Sequence, residues 1–124
     1  MKIFIDNSKT EQNVFFVCDG GSWKKFVFNE EGEGSLERSF ELLVKELGIE
    51  LTALTGLAVR VGDGRFTATR LAVTFANTLA SVLKIPVVSV LSESPEDAGE
   101  ALKSAKVGEL AAAKYSAEPR VGQK

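Results

Sequence analysis

Few residues of this chain have the side chains to bind or transform a ligand. Gly62-Asp63-Gly64, followed by Arg65 and Arg70, lies between an apolar run and a segment with helical spacing. A glycine turn at a helix N-terminus offers free backbone N–H groups, and nearby arginines add positive charge, so a phosphate or carboxylate could sit there. Gly62, Gly64, Arg65 and Arg70 are therefore a candidate anion-binding turn. Asp63 places a negative charge in the same loop, and neither the dinucleotide nor the P-loop fingerprint is completed. A purely structural turn is the plainer reading. Elsewhere the chain offers no histidine and one cysteine, Cys18. Nucleophilic cysteines and serines usually work beside a histidine base, and catalytic zinc sites usually use histidine ligands. The expectation is no catalytic residue, no metal and no cofactor. Cys18 ends the apolar run Val14–Cys18 and reads as a buried structural thiol.

Composition sets the frame for these residues. At 124 residues and net charge −2 the chain is one domain, without the basic excess of a nucleic-acid binder. Such a length buries roughly two-thirds of its unfolded surface, enough for a core without disulfides or metals. Neither a signal peptide nor a membrane-length apolar run is legible, so a cytoplasmic protein is expected.

The elements follow from patterning. Ile3–Ile5, Asn13–Cys18 and Trp23–Phe28 read as three strands of a meander, the last two joined by Asp19-Gly20-Gly21-Ser22. Glu30, Glu31 and Glu33 belong to a solvated loop. Ser35 caps a helix whose Leu36, Phe40, Leu43, Val44 and Leu47 share one face, and Gly48 stops it. Leu57–Val61 and Pro86–Val90 flank a second helix, from about Phe66 to Leu83, in a β-α-β crossover. That helix carries two stripes, Leu71-Phe75-Leu79-Val82 and Ala68-Ala72-Ala76-Ala80. Small residues at this spacing let another backbone approach closely. Ser94-Pro95-Glu96-Asp97 starts a third helix, which pauses at Gly108 and resumes to Lys114. The domain spans 1–115, and 116–124 is a polar tail.

The order β-β-β-α-β-α-β-α with a mixed five-stranded sheet is the ribonuclease-H-like plan, an α/β half-module of the actin and sugar-kinase superfamily. In actin-like ATPases an aspartate at the end of the first strand is linked to metal, and Asp6 stands there. Asp6-Asn7-Ser8 also reads as an ordinary Asx turn. Those ATPases hold nucleotide between two such domains, so a complete nucleotide site is not expected here. Leu36, Phe40, Leu43, Ala68, Ala72, Phe75, Ala76 and Leu79 form the candidate pool for a helix–helix interface, some of them necessarily core.

The segment Gly62-Asp63-Gly64-Arg65-Phe66-Thr67-Ala68-Thr69-Arg70-Leu71 resembles the G-P-G-S-F-T-G-L-R-I signature of the TsaB family, also called YeaZ. Ile3-Phe4-Ile5-Asp6-Asn7-Ser8 is similar to its opening I-L-A-I-D-T-S, and Ile85-Pro86-Val87-Val88-Ser89-Val90 to its I-P-V-V-G-V strand. The resemblance covers residues 1–91. Asp63, Arg65, Ala68, Thr69 and Ala72 depart from the pattern, while Phe66, Thr67 and Arg70 keep it. The family's second domain is absent from this sequence almost entirely. The resemblance implies a non-catalytic scaffold that binds the catalytic paralogue TsaD, joined by the ATPase TsaE, in making N6-threonylcarbamoyladenosine at position 37 of transfer RNA. It also implies that the helices 36–47 and 66–83 form the contact surface toward TsaD or a second copy. The alternatives are a homodimeric structural protein without a TsaD partner, or a small peptidase-like or phosphate-binding enzyme.

Overall fold

The computed structural model describes residues 1–9, 11–29, 35–62 and 66–112. Strands β1 (Lys2–Asp6), β2 (Gln12–Cys18) and β3 (Trp23–Asn29) are followed by helix α1 (Leu36–Leu47) and a 3₁₀ turn at Leu51–Ala53. Then come β4 (Gly56–Arg60), α2 (Phe66–Leu83), β5 (Val87–Val90) and α3 (Pro95–Ser104). The sheet order is β3-β2-β1-β4-β5. β2 runs antiparallel to both neighbours, and β4 runs parallel to β1 and β5. This is the mixed ribonuclease-H-like sheet that the element order implies.

Alternation of side chains along the central strands builds two cores. Ile3, Ile5, Leu57 and Val59 point to the face covered by α1 and α2. Phe4 and Ala58 point to the other face, where Ala98 and Leu102 of α3 meet them. Burial on both faces is why β1 and β4 read as continuous apolar runs. At Gly56 a Cβ would lie 3.3 Å from Leu102 Cδ2, so the missing side chain lets α3 close onto the sheet.

Local chemistry fixes the helix ends. Ser35 Oγ accepts the Arg38 N–H at 3.2 Å, and Gly48, at φ 66°, donates its N–H to the Val44 and Lys45 carbonyls. Within the α1 layer the buried Asn13 Nδ2 donates to Ser39 Oγ at 3.0 Å and ties α1 to β2. Ser94 caps α3 as expected, accepting the Asp97 N–H.

Residues 109–112 do not resume the helix, and 113 and 114 lie outside the described residues. α3 ends at Ser104, and Ala105 turns extended. Gly108, at φ 98°, sits in a turn closed by the Glu109 N–H on the Lys106 carbonyl. Ala111 is then drawn to α2, where the Asn77 side chain bonds both its N–H and its carbonyl. Those backbone groups are unavailable to a helix. The Glu30–Glu33 loop, the boundary at 115 and the tail 116–124 lie outside the described residues. Among the described residues, no helix is long and apolar enough to cross a membrane.

Candidate functional site

Ligands of open α/β sheets sit beyond the carboxyl ends of the strands, so that edge is the first place to look. The parallel register of β1 and β4 runs to Ile5 opposite Val59. One step further sets Asp6 beside Arg60, both on the α3 side of the sheet. Arg60 Nη1 donates to Asp6 Oδ2 at 3.0 Å and to Ser8 Oγ at 3.1 Å. Asp6 Oδ1 accepts the Ser8 N–H at 3.0 Å and the Ser8 hydroxyl at 2.6 Å. The Asp6 and Arg60 side chains are 7% and 11% exposed. Glu93, a surface residue of the β5–α3 loop, reaches Arg60 Nη2 at 4.0 Å.

Asp6-Asn7-Ser8 is thus an Asx turn, stapled to β4 by a buried ion pair. Both carboxylate oxygens of Asp6 are engaged. A divalent cation would have to displace a guanidinium to use them, so the arrangement fits a fixed structural pair better than a metal ligand. Among the described residues no three His, Cys, Asp or Glu side chains gather into a metal-binding group. Asn7 is buried and donates Nδ2 to the Ala68 carbonyl at 3.2 Å, tying the first turn of α2 to the end of β1.

Of the candidate anion-binding turn, Gly62 is buried at φ 87°, the left-handed region where glycine is favoured. Arg70 is exposed on the second turn of α2. Gly64 and Arg65 lie outside the described residues, as does Asp63. Cys18 is half-buried rather than buried. It stands at the end of β2, on the α3 side, and lines a cleft of about 470 Å³ with Trp23 and Gly99. The reason is parity, because Val17 takes the inward place against α1 and α2 and leaves Cys18 the other face.

The second place is the helix pair. Leu36, Phe40 and Leu43 of α1 and Ala68, Ala72 and Ala76 of α2 are all buried within the chain itself. Phe75 and Leu79 are half-buried, and the Phe75 ring meets Phe40 edge-on at 5.2 Å. The alanine stripe therefore serves close packing against the chain's own sheet, because small side chains let α2 lie near the strands. What α2 turns outward is Leu71, 61% exposed, and Val82, 71% exposed. Thr67, Thr74, Thr78 and Ser81 share the exposed side. Arg70 is the single charged residue in the eighteen of this helix. Arg60 stands outside the sequence-derived sets, while Leu71 and Val82 stand in one apolar stripe of α2 but outside the interface pool. Register signals the first. A choice between two stripes, both apolar, hides the others.

Residues 33–93, just under half of the chain, match the family model described as TsaD: tRNA N6-adenosine threonylcarbamoyltransferase. Among solved structures the chain is similar to YeaZ from Pseudomonas aeruginosa, at 26% identity and a TM-score of 0.61. It is equally similar, at 26% identity and a TM-score of 0.61, to an uncharacterized protein with similarity to peptidase YEAZ, also from Pseudomonas aeruginosa. Each match covers 72% of this chain and 42% of the other. The chain thus spans about two-fifths of the length of the solved structures it matches. No curated protein matches it.

Proposed function

We propose that this TsaB-like chain is a non-catalytic docking partner of a TsaD-like enzyme in the N6-threonylcarbamoyladenosine modification of transfer RNA. It docks through the outward side of α2 and the adjoining edge of α1, and a TsaE-like ATPase joins the same assembly. The observation that carries this reading is the exposed side of α2, where Leu71 and Val82 flank half-buried Phe75 and Leu79 with Arg70 the only charge on the helix. Depletion of charge around exposed aliphatic and aromatic groups is the composition of an interface centre. Soluble surfaces seldom leave large apolar groups contiguous without a partner. The likeness to YeaZ structures and to the TsaD family supports the choice of partner.

The engaged Asp6 carboxylate supports a role without catalysis. In this reading the strand-end acid is spent on holding Arg60 and Ser8, and the chain contributes surface rather than chemistry. A second copy is the other occupant that this face could take, which would make the chain a homodimeric structural protein. Mixing the chain with the TsaD-like protein of the same source separates the two. A one-to-one complex lost in the Leu71→Asp, Val82→Asp double variant supports docking. A self-dimer indifferent to the TsaD-like protein refutes it.

A further inference from the structure

β5 is the last strand of the described sheet, and its ladder to β4 uses only half of its backbone groups. The Leu57 N–H donates to the Pro86 carbonyl and the Val61 N–H to the Val90 carbonyl. With Leu57 opposite Val87 and Val59 opposite Ser89, the parallel pattern turns Val88 and Val90 toward β4. The N–H and C=O groups of Val87 and Ser89 consequently point to the open edge. Val87 is nevertheless buried.

The Val87 side chain lies in the cluster under α1 and α2, and the stretch 105–112 runs outside its backbone. Ala105 packs with the α3-side cluster, while Ala111 belongs to the cluster under α1 and α2. The chain between them must therefore pass round the edge of β5. It stands off from the strand, leaving clefts of about 350 Å³ and 170 Å³ between them. Residues 106–110 are exposed, Val107 and Leu110 included. Among the described residues its far end is held by one side chain: Asn77 Nδ2 donates to the Ala111 carbonyl at 3.0 Å, and the Ala111 N–H donates to Asn77 Oδ1 at 2.8 Å.

We propose that residues 105–112 form a displaceable strap over the edge of β5, latched by Asn77, whose release bares the outward backbone groups of Val87 and Ser89. A strap anchored, among the described residues, by the Ala111 side chain and two hydrogen bonds opens at far lower cost than the sheet it passes. Edges of this kind need such a cover, because bare strand edges pair with other chains.

The test is residue-resolved amide hydrogen exchange on the full chain and on Asn77→Ala. Loss of two hydrogen bonds of about 1 kcal/mol each speeds local opening about 30-fold. The amides of Glu109 and Ala111, hydrogen-bonded within the strap and to its latch, are expected to accelerate by that factor, while Val88, Val90 and Val59 stay unchanged. Tryptic cleavage after Lys106 is expected to rise in parallel. Asn77→Asp, which keeps the acceptor for the Ala111 N–H and loses the donor, falls between. Unchanged exchange at Glu109 and Ala111 overturns the latch. Uniform acceleration across the sheet also overturns the proposal, because the strap would then open only with the whole domain.

Discussion

Replacing Arg60 with methionine removes the guanidinium and keeps most of the aliphatic stem. The Asp6 carboxylate would stay nine-tenths buried, with Ser8 donating to Oδ1 and nothing replacing the 3.0 Å bond to Oδ2. Breaking a buried pair by taking one partner costs about 3–5 kcal/mol, chiefly the penalty of the abandoned charge. A domain of this size has about 5–15 kcal/mol in total. The melting temperature of Arg60→Met is then expected about 10–20 °C below that of the parent chain. Adding Asp6→Asn removes the stranded charge while keeping an acceptor for the Ser8 N–H. The double variant should accordingly be more stable than Arg60→Met alone, with a coupling of about 2 kcal/mol in a double-mutant cycle. Urea unfolding followed by the fluorescence of Trp23, the single tryptophan, measures all four proteins. A loss below about 1 kcal/mol for Arg60→Met would place the pair among ordinary surface ion pairs and refute its role as a buried staple.

Ala76→Leu puts three extra carbons into a fully buried place between α2 and the sheet and should cost about 1–3 kcal/mol by urea midpoint. An unchanged midpoint would mean that this stripe faces outward after all. At Gly48, φ is 66° and nothing lies within 4 Å of an added Cβ, so Gly48→Ala meets only a backbone penalty. About 1 kcal/mol is expected from thermal melting, and a loss above about 3 kcal/mol would point to a clash that the geometry lacks. Leu71→Asp with Val82→Asp should shift stability by less than about 0.5 kcal/mol, because both side chains are mostly in water. A large loss of stability would show that they pack within the domain.

α1 was legible to the residue because its signals are local. Ser35 and Gly48 mark its ends, and one stripe of large apolar residues chooses its inner face. α2 was legible as a helix but not in its facing. The larger Leu71 and Val82 look out and the alanines look in, since a helix lying close on a sheet has room there only for small side chains. Arg60 carries no local signal, because its partner is 54 residues away and only the strand register brings them together. The end of α3 was misjudged for a similar reason. Glu109 to Lys114 favours helix by composition, but Asn77, 34 residues earlier, claims the Ala111 backbone. The ribonuclease-H-like order needed none of these long-range choices. It follows from the meander and two crossovers, which is why the resemblance to TsaB and the fold agree.

The proposed seat of a TsaD-like enzyme is the outward side of α2. The decisive experiment is the solution mass of the TsaD-like protein from the same source mixed with the wild-type chain and with the Leu71→Asp, Val82→Asp variant. A one-to-one complex is expected with the first and separate species with the second. No complex with the wild-type chain, or an equally stable complex with the variant, would contradict the proposed seat.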